Sequence, residues 1–454
     1  MVESSETALT PVRGKARIDV LDILRGFAIL GIFYINVPYM AANVAAFSAD
    51  IRSIGWTAAD RNAWVAVNML LAGTQRCLLE FLFGAGMMVI ARKAMTPDGP
   101  VAAADLYYRR NIWLLAFGLF DVFVLLWPGD ILHIYALAAL FLFPFRKLGP
   151  KMLVVLGLGW AVLTGLGIPE YGAREYAERT VLERQVETAE ADVRAGKALT
   201  PAETHALGEW QRLARPHGSE AAVREQVLRE QAAHRGGWLP YARAAWREWN
   251  SLAGEWLVWD VLEAFCTMLI GVALWKWGVI QGQRSARFYL WLLLAGYGFG
   301  LVARAAGMAE MLSFSAGPRS IWITGEVARM AIGLGHLALI NLLVKSPAAN
   351  AALAVLKAPG RMAFSLYFLQ QIVGKYILFA PWGLLPWGRY GWAQSAAIST
   401  IGIVLLAAFA NLWMRYFVSG PLEWIWRSLA YVKVQPFRRP STILPRQGEV
   451  AAAG

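Results

Sequence analysis

Apolar residues in this chain run in long blocks, with no two-residue alternation and few charged interruptions. The blocks fall near residues 20–40, 63–90, 110–127, 130–146, 150–168, 256–280, 286–304, 320–344, 361–381 and 393–418. A helix crossing a bilayer needs roughly 20 predominantly apolar residues, fewer where a short helix is packed inside a bundle. The pattern predicts an all-α fold, a polytopic transmembrane helix bundle of about ten spans. The block at 130–146 is the shortest.

Lys and Arg then fix an expected orientation. Arg13/Lys15/Arg17, Arg92/Lys93/Arg109/Arg110, Arg146/Lys147/Lys151, Arg284/Arg287, Lys345/Lys357/Arg361 and Arg427/Lys433/Arg438/Arg439 occupy every second connection. The alternate short connections, WPGD (127–130), GPR (317–319) and PWGRY (386–390), are poor in both. The positive-inside rule accordingly predicts cytoplasmic N and C termini. Residues 170–250 break the pattern with densely mixed Glu and Arg, which predicts two or three solvated amphipathic helices carrying i,i+4 charge pairs outside the cytoplasm. The charge is too balanced there to mark an ionic ligand site, and Trp246-Arg247-Glu248-Trp249 reads as an interfacial helix. The expected organisation is a cytoplasmic tail at 1–16, a five-span half at 17–168, a helical extracytoplasmic insertion at 169–255, a second five-span half at 256–435 and a tail at 436–454, both tails disordered.

Composition agrees. Of 454 residues 57% are apolar and 16% charged, with mean hydropathy +0.44, against roughly 25% charged in soluble domains. The net charge of +12 sits between apolar blocks, where it faces anionic lipid, so no nucleic-acid partner is expected. Cys77 and Cys266 lie inside apolar blocks and read as small buried hydrophobes, with no metal-ligand cluster. The N-terminal Arg13/Lys15/Arg17 followed by an apolar run resembles a secretory signal. Asp19, Asp22 and Arg25 inside the run, with no small-residue cleavage site after it, predict an uncleaved first helix.

Charged groups in a bilayer are costly and ask for a partner or a task. Asp22, Arg25 and Asn36 share one face of the first span, Arg25 and Asn36 being about 16 Å apart along the axis. They read either as a structural ion pair plus a helix–helix hydrogen bond or as a binding face. Arg76 and Glu80 are spaced to pair within the second span. Asp130 follows Trp127-Pro128-Gly129 and stands one turn before His133. It can cap a helix, or it can orient the imidazole as a general base requires, with Asp121 closing the helix before. Asp260 and Glu263 open the sixth span, and Glu326 and Arg329 share a face of the eighth. Arg329 and His336 together can meet a phosphate-bearing donor, and Gln370, Gln371 and Lys375 make the ninth span polar. No phosphate loop, nucleophile elbow, HExxH or CxxC motif occurs, and no Pro-broken pair of spans is apparent.

IDVLDILRGFAILGIFYINV (18–37), LLEFLFGAGM (78–87), RRNIWLLAFGLFD with PGDILHIYAL (109–137), GRMAFSLYFLQQI (360–372) and GPLEWIWRSLAY (420–431) resemble the YeiB-like family of bacterial inner-membrane proteins. The resemblance spans the chain apart from the tails and the insertion. It departs at Asp121, where a His is expected, and at Ser365-Leu366, where Thr-Asn is usual. It implies a multi-pass protein of the bacterial inner membrane. The first helix also resembles that of integral-membrane acyltransferases, in which an Arg precedes a His by eleven positions. Arg25 fits, whereas Asn36 cannot act as a base.

The expected function is a membrane-embedded acyltransferase that moves an acyl group from a cytoplasmic thioester donor, acyl-CoA, to a lipid or glycan acceptor. It needs no cofactor or metal. His133 and Asp130 are the expected catalytic pair, and Asp22, Arg25, Asn36, Arg329 and His336 the donor- or substrate-binding residues. The alternative is a transporter or flippase using the same intramembrane charges.

Overall fold

Where the apolar blocks break decides how this bundle is put together. The computed structural model describes residues 18–91, 101–214 and 220–439, and its regular structure is helical, with one isolated bridge between Phe417 and Arg438. The N-terminal half holds α1 (Asp19–Ala41), α2 (Val44–Ala49), α3 (Ala58–Leu70), α4 (Thr74–Ala91), α5 (Val101–Phe123), α6 (Leu132–Leu142), α7 (Pro150–Gly157) and α8 (Gly159–Leu166). The insertion holds α9 (Ala173–Arg194), α10 (Pro201–Ala214), α11 (Glu220–Arg235) and α12 (Trp238–Trp249). The C-terminal half holds α13 (Leu257–Lys276), α14 (Ala286–Leu312), α15 (Ile321–Leu343), α16 (Pro347–Leu353), α17 (Lys357–Arg361), α18 (Ala363–Gln371), α19 (Trp392–Tyr416) and α20 (Pro421–Ala430).

Among the described residues, six stretches are long and apolar enough to cross a membrane: α1, α3–α4 together, α13, α14, α15 and α19. A seventh arises if 347–361 and 363–378 count as one span bent by 73°. The chain is a helical membrane protein.

Three expected continuous spans are interrupted. The block at 63–90 breaks at residues 71–73, where Gly73 takes a left-handed φ of +72° that a side chain would strain. The block at 150–168 breaks at Leu158. The block at 361–381 turns sharply at Met362, giving a bent helix pair that the sequence did not announce, and ends in a π-helical turn over 372–378. The tail expected from 436 also begins later. Val418 N–H bonds the Phe437 carbonyl at 2.9 Å and Arg439 N–H bonds the Tyr416 carbonyl at 3.0 Å. Residues 1–16 and 440–454 lie outside the described residues.

Helices approach closely where glycine removes the side chain, which is how bundles pack without a hydrophobic drive from lipid. A Cβ on Gly84 would collide with the Met268 carbonyl, and one on Gly271 with that of Phe81, so α4 and α13 meet backbone to backbone. A Cβ on Gly26 would strike the Leu356 carbonyl and one on Gly360 that of Asp22, which places α1 directly across α17.

At the centre, α4, α13 and α15 share a buried charge network. Arg329 contacts Glu80 at 3.1 Å, Glu263 at 3.1 Å and Glu326 at 3.0 Å, and donates to Thr267 Oγ1 at 3.0 Å. Arg76 completes it on Glu263 at 2.9 Å. Glu80 is fully buried and Arg329 nearly so.

The insertion is not only a solvated cap. Among the described residues it has four helices, and three of them dock on the bundle, α9 through Arg179, which donates to the Ala316 carbonyl at 2.9 Å. Glu230 of α11 accepts from Val44 and Ala45 N–H at 2.9 Å each, capping α2, and Asn43 Nδ2 donates to the Val227 carbonyl at 3.2 Å. His234 stacks on Trp387 with ring centroids 3.8 Å apart and meets Tyr241 edge-on. From α12, Trp238 stacks near Tyr376, and Trp246 and Trp249 pack on Phe123 of α5.

Two outcomes are expected. Arg329→Ala leaves Glu80 and Glu263 buried without their shared cation, which typically costs about 3–5 kcal/mol, so the Tm in detergent should fall by several degrees. An unchanged melting curve would remove the network from the fold's stability. Burial lowers the pKa of His234 from the ordinary 6.5 to about 4. A depressed value means the docked state resists protonation, so this contribution is complete above about pH 6.5 and is lost as pH falls through about 4. Glu230, raised by its burial, acts in the opposite sense. Limited proteolysis of the insertion should accelerate between pH 6.5 and 4, and His234→Phe, which keeps the stacking, should abolish that acceleration.

Candidate functional site

Eight helices, α1, α4, α5, α6, α13, α17, α18 and α20, line one cavity of about 480 Å³. Its deep wall is apolar, and along α4 it runs from Leu79 to Ile90, about 16 Å of helix. Its mouth is basic: Arg25 from α1, Arg110 from α5, Arg361 from α17 and Arg427 from α20 all line it, together with Asp22 and Glu423.

The α1–α17 crossing builds this mouth. Because Gly26 and Gly360 bring the backbones together, Asp22 holds both flanking arginines, Arg25 Nη1 at 3.3 Å and Arg361 Nε at 3.2 Å. Arg25 also donates to the Gly360 carbonyl at 3.4 Å, and Lys357 reaches Asp19 at 2.6 Å. Opposite, the Arg110 guanidinium lies over the Trp426 ring at 4.2 Å, while Trp426 Nε1 donates to the Arg110 carbonyl at 2.8 Å. Glu423 accepts from Phe364 N–H at 2.8 Å, Ser365 N–H at 3.2 Å and the Ser365 hydroxyl. It thereby caps the first turn of α18 from another helix and sets the angle of the bent span.

At the deep end the cavity meets Ile131, Leu132, Tyr135 and Tyr367. The Tyr367 hydroxyl donates to Asp130 Oδ1 at 3.0 Å and accepts from Ile131 N–H at 3.1 Å. Asp130 Oδ2 takes His133 N–H at 2.9 Å and stands 2.6 Å from His133 Nδ1. Asp130 therefore both caps α6 and orients the imidazole. With Nδ1 donating to the carboxylate, the lone pair is left on Nε2, which is buried and makes no hydrogen bond among the described residues. A Cβ on Gly118 would strike the His133 backbone, so α5 holds this turn from behind.

Beyond His133, toward the insertion, lies a second polar group. Asp121 faces Asp130 and Gln371, and both are buried with Asp121. Lys375 bonds the Leu126 carbonyl and lies 5.3 Å from the Tyr241 ring and 6.0 Å from that of Trp127. The Trp249 ring of α12 stands 6.2 Å from the His133 imidazole. Outside the spans, Glu248 is pushed up to about 7 by burial, with Lys375 pulling the other way.

Of the residues expected from sequence, Asp22 and Arg25 line the cavity, while Asp130 and His133 stand just past its end. Asn36 is half-buried and outside the lining. Arg329 and His336 are also outside it. Arg329 is held by three carboxylates. His336 Nε2 sits 2.8 Å from the Leu70 carbonyl and must donate to it, which leaves Nδ1 to accept from Tyr297 at 2.7 Å. Both are occupied within the bundle. Arg110, Tyr367 and Glu423 escaped the sequence reading. The GPLEW motif was the available signal for Glu423, whereas a lone Tyr in an apolar block gives none.

Comparison with other proteins supplies relatives and no reaction. Residues 274–433 match the family described as Protein of unknown function (DUF418). The chain is 28% identical over 458 residues to uncharacterized protein YxaH of Bacillus subtilis (strain 168), covering 96% of this chain and all of that protein. It is 25% identical over 426 residues to uncharacterized protein YeiB of Escherichia coli (strain K12), covering 90% of this chain and 95% of that one. An uncharacterized 39.9 kDa protein of Bacillus acidopullulyticus is 23% identical over 431 residues, covering 94% of this chain and 98% of that protein. No solved structure matches. The chain is thus similar along nearly its whole length to YxaH and YeiB, and its residues 274–433 match the DUF418 family.

Proposed function

We propose that this protein is a membrane-embedded acyltransferase, taking an acyl group from a phosphate-bearing thioester such as acyl-CoA at the cytoplasmic face. The acceptor approaches from the extracytoplasmic or lipid side. One observation carries the reading: an apolar cavity with an arginine mouth ends one side chain, Tyr367, from an Asp130–His133 pair whose Nε2 has no partner. Arginines bind phosphate well because their planar fork matches its oxygens. The apolar wall suits a single acyl chain, and 480 Å³ is ordinary for a ligand pocket.

In this mechanism Arg25, Arg110, Arg361 and Arg427 hold the donor head group while the chain lies against α4. Asp130 fixes the His133 tautomer, and Nε2 takes the acceptor's proton as its heteroatom attacks the thioester carbonyl. The carbon–sulfur bond breaks, and the imidazolium returns the proton to the leaving thiolate. Placement and one general base act together, the base alone being worth roughly 10²–10⁴-fold.

The finer topology belongs to the same proposal. We read ten crossings in a bacterial inner membrane: α1, α3–α4, α5, α6 with the 3₁₀ turn after it, α7–α8, α13, α14, α15, the bent span and α19. Both termini are cytoplasmic, and the arginine mouth lies on their side. The alternation of Lys and Arg between connections supports this, as does the gathering of Asn43, Trp249, Trp387 and Lys375 at the insertion end. The transporter or flippase reading is favoured by the 73° bend, since broken helices line many transport sites.

In nanodiscs, wild-type protein should release CoA from octanoyl-CoA in the presence of membrane extract. His133→Gln should lower that rate by about 10²–10⁴-fold with an unchanged elution profile. Rates equal to wild type would end the enzyme reading, and counterflow of a solute in liposomes would put transport in its place. Arg25→Ala should raise the KM for octanoyl-CoA and Arg25→Lys restore it only in part; loss of the protein from the membrane would assign Arg25 to the α1–α17 crossing instead. A reporter fused at Lys147 should read cytoplasmic and one within 180–214 extracytoplasmic, and a cytoplasmic signal from the insertion would invert the orientation.

A further inference from the structure

One position on the cavity wall carries no side chain. Along α4 the lining recurs at helical spacing as Leu79, Phe83, Gly86 and Ile90, and every one of these but Gly86 is large and apolar. Glycine inside a helix is destabilising relative to alanine, so its place there needs a cause. For other glycines of this region the cause is close packing. A Cβ on Gly84 would strike the Met268 carbonyl, and one on Gly360, which also lines the cavity, that of Asp22. Gly86 is the contrary case. A Cβ built on it meets no atom within 4 Å among the described residues, although the residue is half-buried and stands on the cavity lining. What glycine provides here is room for a ligand and not for a neighbouring helix.

The depth of this gap follows from the helix. The Tyr135 hydroxyl, at the deep end, donates at 3.2 Å to the carbonyl of Arg76, which lies one turn before Leu79. The Leu79 end of the wall is therefore the deep one, and the Ile90 end lies toward the arginine mouth. Gly86 stands seven residues from Leu79 and four from Ile90, about 10 Å and 6 Å along the axis. A large side chain at this point would close the wall beyond its outer 6 Å or so. With glycine the whole length stays open.

We propose that Gly86 is the specificity-determining residue of this cavity: its absent side chain lets the acyl chain run the full wall, so the donor carries a medium or long chain rather than an acetyl group. The inference rests on the acyltransferase reading and adds the class of acyl group to it. An acetyl group would bury almost nothing of a wall about 16 Å long. Each further methylene laid against that wall leaves water and strengthens binding roughly fourfold, until the chain reaches Leu79. Gly86 meets the chain and none of the reacting atoms, so it selects the donor without taking part in the chemistry.

The test measures equilibrium binding of acetyl-, butyryl- and octanoyl-CoA to the full chain in nanodiscs, corrected for partition into empty nanodiscs. In wild type the Kd should fall at each step, by roughly 250-fold between butyryl and octanoyl, four methylenes at about fourfold each. Gly86→Leu, still binding butyryl-CoA and with an unchanged elution profile, should gain less than about tenfold over that step. Gly86→Ala, a smaller change that suits a helix, should fall between the two and keeps the comparison where leucine is not tolerated. Equal gains in wild type and both variants would mean that the chain does not pass Gly86, overturning the inference while leaving the transferase intact. A flat wild-type series would do the same by placing the acyl chain outside the cavity. Loss of butyryl and octanoyl binding together in both variants would put the donor's head-group arm at this position, again overturning it. No acyl-CoA bound by wild type above empty nanodiscs would overturn the acyltransferase reading itself, and the inference with it.

Discussion

The crossing of α1 over α17 is the constraint from which the site follows. Two glycines, Gly26 and Gly360, let the backbones touch, and any Cβ at either position meets a carbonyl oxygen. Contact at that range fixes the mutual rotation of the two helices as well as their separation. Asp22 consequently faces Arg25 and Arg361 together, and the arginine mouth exists because one carboxylate holds a neighbour on its own helix and an arginine 339 residues away. The same crossing fixes the start of the bent span. Tyr367, Gln371 and Lys375 follow at about one-turn intervals down α18 and its π-turn, which carries them from the cavity toward the insertion end. A shift at the crossing therefore displaces both ends of the site at once.

Buried charge in this bundle takes two forms, and the difference separates structure from function. In the Arg329 network, opposite charges from α4, α13 and α15 lie about 3 Å apart, and Thr267 takes a further guanidinium hydrogen. Such a cluster resists change, because removing any member leaves another uncompensated in low dielectric. Near His133 the groups are as deeply buried, but there Asp121 faces another carboxylate, Asp130, together with the Gln371 amide.

What the sequence disclosed follows the same division. Helix existence and the short-range pairs were legible, since Asp22–Arg25, Arg76–Glu80, Glu326–Arg329 and Asp130–His133 are three or four residues apart and fall on one face. How those pairs join across helices was not, because it depends on helix rotation. In a bundle whose lipid-facing and core-facing surfaces are both apolar, no periodicity records rotation. Arg329 and His336 looked available for the same reason: their partners, Glu80, Glu263, Leu70 and Tyr297, come from other helices. Asn36 shares a helical face with Arg25 on paper, yet the cavity bends away along α4 before reaching it. The breaks at 71–73 and Met362 were equally hidden, because an apolar run reads the same whether its axis is straight or bent.

The bend at Met362 shows how much of the C-terminal half serves one local requirement. A break within lipid depth frees backbone donors that have no water to turn to. Here Phe364 and Ser365 N–H are taken by Glu423, and Leu422 N–H in turn bonds the Ser365 hydroxyl at 3.0 Å. Gly420 must be a glycine for this to form, since a Cβ there would overlap Glu423 and Ser365. Pro421 starts α20 without needing a hydrogen bond of its own. The GPLEW sequence is thus a cap for another helix, and it explains why a motif so near the C-terminal end governs a site reaching deep into the bundle. By holding the first turn of α18, Glu423 sets the direction in which Tyr367 points, and Tyr367 is the side chain that both closes the cavity and steadies Asp130. Cap, bend, phenol, carboxylate and imidazole form one mechanical chain, joined by hydrogen bonds of 3.2 Å or less except from bend to phenol, where α18 itself is the link.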